Sequence, residues 1–168
     1  MQIIKDITMD NIYKILEDLK ITFTQHNHRA VFTVEEAMLH KGDLDGAKIK
    51  NLFLRNKKGD RHFLFITDAF KDIDLKRLSE VTEERKLGFA SPDRLFKYLK
   101  LTPGSVSPFG IINDENNEVI VLLDKELLSN NDKLNFHPNI NTSTIQISKD
   151  DLFKFFKWAG NEVREIEI

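Results

Sequence analysis

Three short segments of this sequence combine residue types and spacings suited to chemistry on an anionic or carbonyl-bearing group. The first is Lys48-Ile49-Lys50-Asn51-Leu52-Phe53-Leu54-Arg55. In an extended strand alternate side chains share a face, so Lys50 groups with Leu52 and Leu54, and Asn51 with Phe53 and Arg55. Leu52 and Leu54 read as core-directed, which puts Lys50 at the end of an inward-facing row. There its ammonium either binds an anion or phosphate or lays its stem on the core and reaches water. The second is Gly104-Ser105-Val106-Ser107-Pro108-Phe109-Gly110. Glycine permits positive φ and proline fixes φ, so such a loop either aims backbone amides at a carbonyl or oxyanion, or makes a tight structural connection. The third is Asn135-Phe136-His137-Pro138 with Asn141-Thr142. Pro138 biases His137 toward extended backbone. Its imidazole reads as an acid/base, a donor to substrate, or a packed core histidine.

Several chemistries are excluded. The chain has no cysteine, which removes disulfides, thiolate zinc sites and cysteine nucleophiles. No HExxH, GxSxG, Walker or Rossmann spacing occurs. His26 and His28 lie two apart, compatible with one strand face, but no third ligand falls at metal-site spacing, so neither metal nor cofactor is expected. Arg55, Lys57, Lys58 and Arg61 surround a hairpin tip; they read as a solvated turn or as contacts for an RNA phosphate. A formal net charge of -2 argues against coating nucleic acid, though not against gripping one end of an RNA. The first twenty residues carry acids within any apolar stretch, unlike a signal peptide. No segment has the length of a membrane span, so the expected location is the cytoplasm.

The elements that must position these residues follow from periodicity and punctuation. The 168 residues suit one domain spanning 1–168, without linker, repeat or low-complexity tract. Thr8 is placed to cap a helix carrying Ile12, Ile15, Leu16 and Leu19, and Ile21–Gln25 alternates like a strand. Thr33-Val34-Glu35-Glu36 has the capping-box pattern of a second helix. Lys50–Arg55, a turn over Asn56–Asp60, and Arg61–Thr67 form a hairpin. A short helix over Leu75–Val81 precedes a strand over Lys86–Ala90. Ser91-Pro92 opens a helix with Leu95, Phe96 and Leu99 on one face. Ile111-Ile112 and Val119–Leu123, around Asn113–Asn117, read as another hairpin. Asn141–Ile147 is a strand, Ser148 caps a last helix, and Val163–Ile168 adds an edge strand. Strands and helices mix without βαβ regularity, so the expected class is α+β: a largely antiparallel, barrel-like sheet flanked by helices.

Taken together, these segments resemble the YbaK/ProX family of aminoacyl-tRNA deacylases, free-standing relatives of the editing domain of bacterial prolyl-tRNA synthetase. The resemblance runs nearly end to end. It rests on Val34-Glu35-Glu36-Ala37, Lys50–Arg55 with Lys57-Lys58-Gly59, Leu87–Ser91, Gly104–Gly110, Ile112-Asn113-Asp114, and Asn135–Pro138 followed by Asn141-Thr142. It is strongest to the ProX (PrdX-like) branch, which removes alanine from proline tRNA. The resemblance implies catalytic roles for Lys50 and His137 and substrate binding by Asn51, Gly104, Ser105, Val106, Ser107 and Pro108. It also implies a mischarged tRNA as partner, with prolyl-tRNA synthetase as a second, and no membrane. The three segments should therefore meet at one ester-hydrolysing pocket. Cys-, Ser- or Thr-charged tRNA, or tRNA and synthetase binding without turnover, are the alternative readings. One departure stands out: Gly46-Ala47-Lys48-Ile49 replaces the Gly-Gly-His-Thr-like stretch of many relatives.

Overall fold

A computed structural model describes residues 9–30 and 46–168; the expected Thr8 cap and the Thr33–Glu36 capping box lie outside them. The described elements are α1 (Met9–Asp18), β1 (Thr24–Asn27), β2 (Ile49–Asn56), β3 (His62–Asp68), α2 (Leu75–Val81), β4 (Leu87–Phe89), α3 (Pro92–Leu99), a 3-10 helix η1 (Pro108–Asn113), β5 (Val119–Asp124), α4 (Lys125–Asn130), β6 (Lys133–Phe136), β7 (Ser143–Ser148), α5 (Lys149–Ala159) and β8 (Val163–Ile166).

These strands form two sheets, β4-β2-β3-β5-β8 and β1-β7-β6. Pairs β2–β3, β2–β4, β1–β7 and β6–β7 are antiparallel, whereas β3–β5 and β5–β8 are parallel. The α+β class with mostly antiparallel pairing holds. Among the described residues the two sheets stay open and meet at a parallel bridge between Ala47 and Leu134, so the arrangement is not a closed barrel.

The five-stranded sheet is a central layer, which explains its nearly continuous apolar strands. In β3 and β5, Leu64, Ile66, Val119, Val121 and Leu123 face one core, shared with α1, α3, α5, η1 and the smaller sheet. Phe63, Phe65, Ile120 and Leu122 face a second, closed by Leu78 of α2 and Leu87. β7 covers the first core on one side only, so it alternates: Ser143, Ile145 and Ile147 are buried and Thr144 and Gln146 are not.

Two sequence expectations change. Ile111-Ile112 is no strand: Ser107 caps, Pro108 starts the first turn, and the segment coils into η1. β5 then pairs in parallel with β3 rather than folding back on Ile111-Ile112. In α3, Leu95 and Leu99, one helical turn apart, are buried, whereas Phe96, about 100° round the helix, is 54% exposed. The Ser91 cap and Pro92 start are as expected. So are Ser148 capping α5 and β8 at a sheet edge.

Candidate active site

The N-terminal end of β2 carries Lys50 and Asn51 on opposite faces. Asn51 Nδ2 donates to the Val106 carbonyl at 3.3 Å, drawing the Gly104–Pro108 loop onto the strand. Asn51 Oδ1 is buried and has no hydrogen-bond partner among the described residues. Lys50 projects the other way, and its Nζ donates to the Lys71 carbonyl in the turn after β3. That turn is itself anchored: Lys71 Nζ meets buried Asp124 Oδ2 at 2.9 Å and Glu126 at 2.7 Å, and Thr67 Oγ1 donates to Asp124 at 2.7 Å. Burial opposes the Lys71 charge, but bonds to Glu126 and Asp124 prevail and raise its pKa.

The shape of the loop follows from its residues. Ser105 N bonds Thr102 O at 3.1 Å, with Pro103 and then Gly104 at φ +91° between them. Pro at the second position and a left-handed Gly at the third make a type II pattern. At the far end Ser107 Oγ accepts from Phe109 N at 3.2 Å, and Ser107 O accepts from Gly110 N at 3.1 Å. The amides of Val106 and Ser107 belong to neither bracketing turn. At Gly110 a Cβ would lie 2.6 Å from Leu101 Cδ1 and 3.2 Å from Leu99 Cβ, so a side chain there would force Leu101 to move.

His137 follows β6, and its Nδ1 lies 2.9 Å from the Ser143 carbonyl across the β6–β7 loop. A carbonyl accepts only, so Nδ1 carries the proton and the neutral ring keeps its lone pair on Nε2. Burial is the main cause of its lowered pKa. The Ser143 carbonyl works against that burial, and His28 adds to it. The His28 ring lies 6.0 Å from that of His137, and its Nε2 is 2.8 Å from Thr144 Oγ1.

Three contacts bring the segments together. Asn51 holds Val106. Phe109, directly after the loop, packs edge-on against Phe136, directly before His137, with centroids 5.9 Å apart. Ala47 bridges Leu134, and Asn135 Nδ2 donates to Ala47 O at 3.2 Å. The bridge and this bond set the start of β2 beside β6, the strand that leads into His137. Asn51, the loop and the His137 strand thus border one region, while the Lys50 amine lies across the sheet.

The basic cluster sits at the other end of β2, roughly 20 Å away at about 3.3 Å per residue. Arg55 Nη1 donates to Asn56 O at 3.1 Å, and Arg61 pairs with Glu84 and lies over Phe63. Lys57 and Lys58 are exposed. Among the described residues no group of histidines and acids could hold a metal, and no helix is long and apolar enough to cross a membrane.

Sequence reasoning missed two features. His62, on β3, is 1% exposed and receives a 3.0 Å contact from Arg94; its partner is distant in sequence. Asn139 has a left-handed backbone, φ +64°, and both its amide atoms are buried without partners among the described residues.

Residues 28–155 match the family model described as the aminoacyl-tRNA editing domain. The chain is 46% identical over 155 residues to the prolyl-tRNA editing protein ProX of Acetoanaerobium sticklandii, covering 91% of this chain and 93% of that protein. It is 34% identical over 145 residues to the prolyl-tRNA synthetase associated domain-containing protein 1 of Danio rerio, covering 86% and 78%. Among solved structures, one described as a candidate trans-editing enzyme for prolyl tRNA synthetase superposes with a TM-score of 0.70 at 17% identity, over 95% of this chain and 96% of that one.

Proposed function

This chain belongs to the aminoacyl-tRNA editing-domain family, and on that premise we propose that it hydrolyses mischarged proline tRNA in trans, Ala-tRNA(Pro) above all. Water attacks the ester carbonyl, the bond to the terminal ribose breaks, and free amino acid and tRNA leave. The ester is already activated, so holding a water and stabilising the tetrahedral oxyanion suffice. His137 supplies the base: burial keeps it neutral, Ser143 fixes the tautomer, and Nε2 takes the proton of the attacking water. The amides of Val106 and Ser107 face the developing oxyanion. Asn51 sets their position through the Val106 carbonyl; this bond is the observation that carries the reading.

Lys50 grips the phosphate or ribose of the terminal nucleotide. Its stem has to leave the Lys71 carbonyl to do so, and four methylenes give it that reach. A neighbouring ribose hydroxyl assists the water. The pocket, bounded by Gly104–Pro108, admits alanine and excludes proline by size, because attraction alone separates such side chains by only about 1–3 kcal/mol. Arg55, Lys57, Lys58 and Arg61 are the proposed tRNA backbone contacts. The net charge of -2 implies modest affinity for tRNA alone, so docking to prolyl-tRNA synthetase in the cytoplasm completes the proposal.

The test is a panel of proline tRNAs carrying Ala, Cys, Ser or Thr, with Pro-tRNA as control. Release of alanine with Pro-tRNA intact supports the reading. Preferred release of Cys, Ser or Thr moves the cargo, and binding without release makes the chain a carrier module. Lys50→Ala, if folded, should abolish most of the release; a wild-type rate removes Lys50 from the site.

A further inference from the structure

A buried carboxamide with neither end bonded is costly and calls for a reason. Asn139 is such a group: its Oδ1 and Nδ2 are both buried without a partner among the described residues. The left-handed backbone, φ +64°, explains why asparagine is tolerated there, but Gly or Asp would serve that turn as well, so it does not explain a buried amide. The position is telling. Asn139 lies two residues beyond His137, in the loop that the contact between His137 Nδ1 and Ser143 O closes at 2.9 Å. The strand that faces this region carries Asn51, whose carboxamide oxygen is also buried without a partner among the described residues.

We infer that the Asn139 carboxamide reads the terminal adenine of the tRNA acceptor end. A free donor beside a free acceptor matches a group that presents an acceptor beside a donor. Adenine does so with a ring nitrogen next to its exocyclic amine, and asparagine is its bidentate partner. An α-ammonium group offers donors only and leaves Nδ2 unmet. RNA ends expose these base edges because the last base is unpaired. The ligand class rests on the tRNA-editing reading above; the half of it concerning hydrolysis is not needed.

The experiment measures binding of uncharged trinucleotides, CCA against CC ending in purine riboside, which lacks the exocyclic amine. Wild type should bind CCA about tenfold or more tighter, in line with one bidentate pair. Asn139→Ala and Asn139→Asp should bind both ligands alike, at the weaker affinity. Both variants should melt somewhat lower, because alanine is less tolerated than asparagine at φ +64° and a buried carboxylate is desolvated, so binding is compared well below either midpoint. Equal binding of the two ligands by wild type overturns the inference; so does a tenfold preference that survives in Asn139→Ala. Deacylation of Ala-tRNA by wild type is scored separately. If CCA discrimination is present and release absent, the hydrolase reading fails and the adenine contact stands. If release is present and discrimination absent, the reverse holds.

Discussion

The two ends of β2 spend the same residue types differently. At the hairpin end Asn56 Oδ1 accepts from the amides of Gly59, Asp60 and Arg61 at 2.9, 3.1 and 3.2 Å, and Nδ2 donates to Asp60 at 2.7 Å. His62, opposite Arg55 in the ladder, stacks on Phe53 at 5.5 Å, lies 4.1 Å from Tyr98, and contacts Arg94 through Nε2. Five residues back, Asn51 uses its Nδ2 on Val106 and leaves Oδ1 unmet among the described residues, and His137 places Nδ1 on Ser143. Both histidines have depressed pKa values, with burial as the chief cause. At His62 neutrality lets the ring accept from an arginine; at His137 it leaves a lone pair on Nε2, which the proposed reaction would use as a base. Asn56 is consumed by its own turn, whereas Asn51 keeps an unmatched oxygen among the described residues; that difference separates the structural end of β2 from the end proposed as the site.

The sharpest way to break this contrast is to remove the two bases in turn. His137→Gln should lower kcat/KM for Ala-tRNA by about 10²–10⁴, the usual range for a general base, with the thermal midpoint unchanged. A rate near wild type would end the distinction. At the other end the effect belongs to stability. The pKa of His62 is lowered from 6.5 to about 4, through burial first and then the charges of Arg94, Lys97 and Arg55, with Asp60 opposing them. The unfolded chain therefore binds more protons at this residue. Its contribution is complete above pH 6.5 and is lost as pH falls toward 4, by roughly 3 kcal/mol at about 1.4 kcal/mol per pH unit. Urea titrations from pH 7 to 4 should show a shallower loss in His62→Gln than in wild type. Parallel curves would place the acid sensitivity elsewhere.

Next in size is the asparagine pair. Asn56→Ala strands the amides of Asp60 and Arg61, while Gly59 N keeps the Asn56 carbonyl, and should cost about 1–3 kcal/mol, read as a lower urea midpoint with unchanged deacylation per folded molecule. Asn51→Ala gives up one long bond and should leave the midpoint nearly unmoved while release of alanine falls.

What the sequence disclosed divides along the same line. The β2–β3 hairpin, the Ser91-Pro92 and Ser148 helix starts, and the terminal edge strand were legible because caps, prolines and alternation are local signals. Motif order pointed to Lys50, Gly104–Pro108 and His137 as parts of one site; the contacts among the described residues link Asn51 to the loop and Phe109 to Phe136. Side-chain direction was less legible. Lys50 was assigned to an inward face by the Leu52–Leu54 row, but β2 lies in a central layer where Phe53 is also buried, 6% exposed, so both faces are inward and the alternation does not choose between Lys50 and Asn51. The parallel pairing of β5 with β3, the Arg94–His62 contact and the orphaned Asn139 depend on residues far apart or on burial, and no local pattern encodes them.

The smallest expected effect concerns the exposed tip. Lys57 and Lys58 have no part in the Asn56 turn network, so Lys57→Ala with Lys58→Ala should change stability by less than about 0.5 kcal/mol. Binding to tRNA is a more sensitive probe. If both ammonium groups meet phosphates, the slope of log K against log salt should become shallower by about 1.5–2, because each phosphate contact releases somewhat less than one counterion. Rates on an aminoacylated trinucleotide, too short to reach a tip roughly 20 Å from Asn51, should not change. An unaltered slope would leave the hairpin end with no role in recognition. It would then be what its fully engaged Asn56 and its stacked, Arg94-bound His62 already suggest, a structural clamp between β2, β3 and α3, and the tRNA would be held from the pocket end alone.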